Sequence, residues 1–151
     1  MGRRSRAPRV FHRVEDATSR GRICTKRGLS TSFKAAFRAE SFDSIDNEYL
    51  LEMHLIWGKR VPTPYISTYS KRCAAEREAR RRVKDGMRDV TISTIDLDML
   101  PDWELEFRNV RRVCKNLDLR IKDRAYNNSE HEWIFLNEIP KEAVVEVYRF
   151  N

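Results

Sequence analysis

The 151-residue sequence is short of several things. It has three cysteines, Cys24, Cys73 and Cys114. An odd number at wide spacing excludes a disulfide scaffold and suggests free thiols in a reducing compartment. Three histidines, with no Cys or His pair at ligand spacing, argue against a structural zinc, and no metal is expected. No apolar run approaches the ~20 residues that a membrane-spanning helix needs, and the mean hydropathy is −0.69. The basic opening MGRRSRAPRV leads into no apolar stretch, so no secretory signal is expected. An intracellular location, cytoplasmic or nuclear, is therefore expected, without membrane association. There is no internal repeat and no low-complexity linker.

What is present is one domain's worth of chain with a lean core, at 40% apolar and 35% charged residues. The net charge of +7 is unevenly placed. Residues 1–40 hold 11 Lys/Arg against 3 Asp/Glu, whereas 41–151 hold 19 against 20. The basic character thus belongs to the N-terminal quarter, as a solvated arm or as a contact for an anionic partner. Residues 1–7 read as a basic arm and 8–151 as a single domain.

Along that domain, 8–14 (PRVFHRV) reads as a strand, with Val10, His12 and Val14 on one face and Phe11 and Arg13 on the other. The polar stretch DATSRGRICTKRGLSTS reads as loop, and Phe33 and Phe37, four apart, are expected to pack. Residues 44–57 read as a helix capped by Ser44, with Ile45, Tyr49, Met53 and Ile56 inward. A short strand is expected at 65–68, then a charged helix capped by Ser70 and ending near Gly86. Residues 89–97 read as a central strand. Pro101 and Asp102 open an expected helix with Trp103, Phe107, Val110, Cys114 and Leu117 on one face. The strand EHEWIFL, a turn at Ile139–Pro140 and a final strand AVVEVYRF complete a mixed α+β pattern.

Three local features carry chemistry. Arg13 on a strand is either an edge residue facing solvent or a buried cation needing an anionic partner. Ser67 and Thr68, between a strand and a helix, either cap that helix or orient a neighbour. Glu130 and Glu132, two apart on a strand, share one face, either as a solvated strand end or as a polar site.

Taken together, VFHRVED, PYISTYS and EHEWIFLNEIPKEAVVEVYRF resemble the ADP-ribosyltransferase superfamily, in the cholera-toxin-like branch marked by Arg, Ser-Thr-Ser and Glu-x-Glu. His54, on the helix before PYISTYS, matches a histidine of that branch. The last stretch, Glu-x-Glu followed by Ile-Pro and a strand ending in Tyr-Arg, is the most specific match, and the resemblance spans residues 9–150. It implies an ADP-ribosyltransferase-like fold: two small packed β-sheets forming a split core with flanking helices. It also implies a toxin-like mono-ADP-ribosyltransferase, a glycosyltransferase that uses NAD as substrate without a metal. By resemblance, Glu132 holds the nicotinamide-ribose hydroxyl and stabilises the developing cation, and Ser67 holds Glu132. Arg13 meets the phosphates and the adenosine-side ribose. His54 assists near the phosphate or ribose, although it also reads as a histidine packed on a helix face. Thr68 is counted with the NAD-binding set. Glu130 binds and deprotonates the acceptor, expected to be a protein arginine.

The sequence departs from the pattern in three places. Tyr69 stands where the third motif residue is serine, Asn127 stands where an aromatic residue is common, and the helix expected over 103–117 looks inserted. Two alternatives remain open. One is a catalytically inactive interaction module on the same fold. The other is a nucleic-acid-directed ADP-ribosyltransferase using the basic N-terminal quarter. A monomer is expected.

Overall fold

In the computed structural model, the described residues are 7–19, 24–25, 28–29, 32–44, 47–57, 61–100, 104–119 and 129–150. The expected arm 1–7 therefore lies, apart from Ala7, outside them. The strands are β1 (Val10–Glu15), β2 (Cys24–Thr25), β3 (Gly28–Leu29), β4 (Phe33–Lys34), β5 (Tyr65–Tyr69), β6 (Thr91–Asp96), β7 (Phe107–Asn109), β8 (Glu132–Leu136), β9 (Glu138–Ile139) and β10 (Val144–Arg149). The helices are α1 (Asn47–Trp57), α2 (Arg72–Lys84) and α3 (Val110–Asn116). Six strands form one antiparallel sheet in the order β10-β6-β1-β5-β8-β7, and β2-β3 and β4-β9 form two short pairs.

The two small packed sheets expected of the split core are here the two halves of this one sheet, which part at its centre. β1 and β6 pair along six residues, and β5 and β8 along five, but β1 and β5 share one register pair, His12 with Tyr69. Beyond it Arg13 Nη1 donates to the Ser67 carbonyl at 2.9 Å, so a side chain joins the two halves.

Each half has its own cover. On one face, α2 packs a stripe of Ala74, Ala75 and Ala79 against Val14, Ile92 and Tyr69, because small side chains let a helix approach a sheet closely. On the other half, α1 and α3 place Leu51, Val110 and Cys114 against Tyr65, Ile134 and Leu136. The opposite side of the sheet buries Phe11, Phe33, Ile66, Ile95 and Phe135, with Phe11 edge-on to Phe135 at 5.0 Å.

Several sequence expectations are corrected. The stretch expected to be loop contains the β2–β3 pair. Phe33 is buried but Phe37 is exposed. In α1 the inward residue is Leu51, fully buried, while Tyr49 is 57% exposed. The apolar positions of that helix follow two overlapping spacings, and tertiary packing chose the other. Ser70 does not cap α2: its hydroxyl donates to the His131 carbonyl, and the capping position is Lys71, without a side-chain bond.

The helix expected from Pro101 begins at Val110. Phe107 lies in β7 instead, stacked on Phe135 at 5.0 Å, and Asn109 caps α3 by accepting from the Arg112 amide. Pro101 to Trp103 and Asn127 lie outside the described residues. Among the described residues no helix is long and apolar enough to cross a membrane.

Candidate active site

Strand alternation decides which motif side chains meet. Tyr69 pairs with Glu132 and Ser67 with Ile134, so Ser67, Tyr69 and Glu132 share the face covered by the helices. Tyr65 packs under α1 and α3, and Tyr69 under α2. Ser67, between them, stands at the seam where the two helical covers meet.

The Ser67 hydroxyl donates to Glu132 Oε2 at 3.0 Å. His54, from α1, brings Nε2 to 2.7 Å from Ser67 Oγ. Its Nδ1 lies 2.7 Å from the hydroxyl of Thr63, a residue that the sequence reading missed. The available signal was faint: a threonine between Pro62 and Pro64, four positions before Ser67. Burial, and then the nearby Arg13 charge, push the His54 pKa down to about 4, so the ring is neutral at physiological pH.

Glu132 is only partly accessible, and loss of solvation pushes its carboxyl up to about 7. The Ser67 hydrogen bond and the Arg82 charge hold it down, while the Glu78 carboxylate raises it. Both charges come from α2, which the sequence reading noted as a charged helix without assigning it a part in the site. Arg82 donates to Glu78, Asp16 and the Val14 carbonyl, tying α2 to the end of β1. Burial and the same two carboxylates, Glu132 and Glu78, raise the Tyr69 phenol.

Arg13 is the third partner. Its side chain is 14% exposed, 3.7 Å from the fully buried Glu15 carboxylate, and its guanidinium lies 5.3 Å from the centre of the Phe33 ring. Its Nε makes no hydrogen bond. The solvent-facing alternative for Arg13 is therefore excluded, and its anionic partner is Glu15.

Two motif residues are placed apart from this group. Thr68 points to the opposite side of the sheet, fully buried, where its hydroxyl donates to the Trp133 carbonyl at 3.0 Å. Glu130 is not on the strand. β8 begins at Glu132, because Asn109 and Ser70 hold the preceding carbonyls in a turn. The Glu130 side chain is 61% exposed and lies 3.6 Å from Arg111. The shared face expected for Glu130 and Glu132 is thus not formed.

A cavity of about 310 Å³ opens at the other end of β8, lined by Arg38, Glu106, Leu136, Asn137 and Glu138 among others. None of Arg13, His54, Ser67 or Glu132 lines it.

The group at the seam presents a carboxylate close to its titration midpoint at neutral pH, oriented by a hydroxyl and backed by a neutral imidazole. Such a carboxylate can take up a proton or stabilise positive charge that develops on a sugar ring.

The architecture has a solved counterpart. The chain is similar to EcPltA, an ADP-ribosyltransferase-fold toxin subunit, with a TM-score of 0.55 and 14% sequence identity over 96% of this chain and 77% of that one. At that identity the likeness speaks for the fold, which is ADP-ribosyltransferase-like. No curated protein matches the sequence. A family model, described as a domain of unknown function, matches residues 6–151, and the chain belongs to that family, DUF7587.

Proposed function

We propose that this chain is a NAD-dependent mono-ADP-ribosyltransferase of the cholera-toxin-like branch, toxin-like in its chemistry, which transfers ADP-ribose to an arginine side chain of a protein. The observation that carries the reading is the hydrogen-bonded row His54–Ser67–Glu132, with Arg13 bonded to the Ser67 carbonyl, on an ADP-ribosyltransferase-like fold.

In the proposed reaction nicotinamide leaves with the electron pair of the bond to ribose, and positive charge develops on the sugar. The Glu132 carboxylate stabilises that charge more in the transition state than in the ground state, which is what lowers the barrier. Ser67 holds the carboxylate in one orientation. Arg13 braces β1 against β5, and its unbonded Nε belongs to a guanidinium of the kind that matches phosphate oxygens. Glu130, exposed beside Arg111, exchanges that partner for the acceptor guanidinium and takes its proton as the nitrogen attacks the ribose carbon.

The test is release of nicotinamide from NAD by the wild type and by Glu132→Gln, which keeps the shape and the hydrogen bond from Ser67 but not the charge. Release by the wild type alone is the expected result. Release by neither overturns the reading.

The inactive-module alternative draws support from one observation: Arg13 is enclosed and already engaged by Ser67 and Glu15. It predicts no rise in melting temperature at millimolar NAD, whereas the enzyme reading predicts one by linkage. Nucleic acid as the acceptor rests on the basic N-terminal quarter alone, and labelling of DNA in place of arginine would establish it.

A further inference from the structure

We propose that Thr63 is a positioning residue of this site: its hydroxyl fixes the His54 ring in the Nε2–H form, and the ring in turn directs the Ser67 hydroxyl onto Glu132. The catalytic consequence rests on the reading above; the placement of the protons does not.

With Glu132 ionised, counting protons along the row leaves two arrangements. A neutral imidazole has one N–H, and each hydroxyl has one O–H. In the first arrangement Thr63 donates to Nδ1, Nε2–H donates to Ser67 Oγ, and Ser67 donates to Glu132. Every polar atom in the row is then used, and all the bonds run in one direction, which strengthens each of them. In the second, Nδ1–H donates to Thr63, and the bare Nε2 takes the Ser67 proton. Glu132 Oε2 then faces a hydroxyl lone pair at 3.0 Å with no donor from Ser67. For a poorly solvated carboxylate that arrangement is costly.

The choice between the two is governed at the far end of the row, by a donor to Nδ1. Thr63 is well suited to supply it. Its residue is 4% exposed, and its carbonyl is anchored by the Ala36 amide at 3.2 Å. Pro64 confines its backbone to extended conformations. The hydroxyl is thus presented to the ring by a stiff segment. Arg13, bonded to the Ser67 carbonyl, adds a positive charge that disfavours a second proton on the ring.

The experiment compares wild type, Thr63→Val and Thr63→Ser. Nitrogen-15 NMR of the histidine side chains at pH 8.5, where Glu132 is ionised, reads the ring form of His54 directly, without NAD. The Nε2–H form is expected in the wild type and in Thr63→Ser, and a shift toward Nδ1–H in Thr63→Val. For nicotinamide release, kcat of Thr63→Val is expected to fall roughly five- to tenfold, the equivalent of one buried hydrogen bond. KM for NAD stays within about twofold, and Thr63→Ser restores kcat. A simple packing role would not be read out by the ring form or by the serine rescue.

An Nδ1–H ring in the wild type overturns the proposal, and so does a valine variant with unchanged ring form and kcat. If the valine variant does not fold, the wild-type ring form and the serine variant still decide. A wild type that releases no nicotinamide overturns the functional reading instead, and the ring spectra alone then support or refute the Thr63 relay.

Discussion

Replacing the candidate catalytic carboxylate should make this protein more stable, and only above a particular pH. The difference between 4.5 and about 7 for Glu132 corresponds, at about 1.36 kcal/mol per unit, to ~3 kcal/mol. Solvent reaching the partly accessible carboxylate screens some of that, which leaves an effect of roughly 1–3 kcal/mol. Between pH 4.5 and about 7 the folded protein keeps a proton that the unfolded chain has released. Stability from this group is therefore lost as pH rises through that window.

Glu132→Gln removes the charge and still accepts from Ser67. At pH 8.5 the variant should melt roughly 2–12 °C above the wild type, taking about 2–4 °C per kcal/mol for a domain of this size. At pH 4, where Glu132 is neutral in both states, the two should melt together. His54 acts in the opposite sense. Its pKa lies at about 4 instead of 6.5, so the stability it contributes is lost as pH falls from 6.5 toward 4. In the wild type the two slopes oppose each other, and Glu132→Gln removes the carboxyl slope. That leaves the slope of His54 together with the same-signed contributions of His12, lowered by burial, and Glu78, whose burial is outweighed by its arginine partners so that it too is lowered. Calorimetric melts of both proteins from pH 4 to 8.5 measure all of this. Equal melting temperatures at pH 8.5, or a less stable variant, would refute the placement of Glu132 in a poorly solvated setting.

Three further outcomes are expected. Nicotinamide release should rise with pH through about 7, the value for Glu132, since the carboxylate is the working form; an acid limb near 4.5 would show Glu132 to be well solvated. Thr68→Val should cost about 1 kcal/mol, because it removes the hydrogen bond from a fully buried hydroxyl to the Trp133 carbonyl. That variant should keep wild-type nicotinamide release below its melting temperature, and a folded but inactive protein would return Thr68 to the NAD-binding set. Glu130→Gln, at an exposed turn, should leave melting temperature and NAD hydrolysis unchanged while abolishing transfer to an arginine acceptor; equal loss of both reactions would end the division of labour between the two glutamates.

The site was legible in the sequence as far as order along the chain and strand alternation could carry it. Arg13, His54, Ser67 and Glu132 were each singled out; His54, Ser67 and Glu132 join in one hydrogen-bonded row, which Arg13 reaches at the Ser67 carbonyl from the side of the sheet where it packs on Phe33. Alternation along β5 also contained the reason for separating Ser67 from Thr68, although the motif grouped them. Glu130 was misplaced because period-2 reasoning assumes that the strand extends to it. The strand stops where Asn109 and Ser70, from other elements, capture the carbonyls that would have continued it.

The sequence by itself determined the α+β class, the charged helix with its end near Gly86, the strands around the motifs, and the uneven charge. Each of these depends on side chains a few positions apart, so local periodicity and backbone preference suffice. Only the tertiary structure decided the inward face of α1, the strand at Phe107, and the junction of the two half-sheets at a single residue pair. It alone also decided the ionisation of Glu132 and the part of Thr63. These follow from desolvation, and from charges and hydroxyls that α1, α2 and the segment before β5 bring together from distant parts of the chain. A carboxylate's pKa is set by what surrounds it in space, and no spacing along a sequence encodes that surrounding until the sheet has closed and its helices have packed.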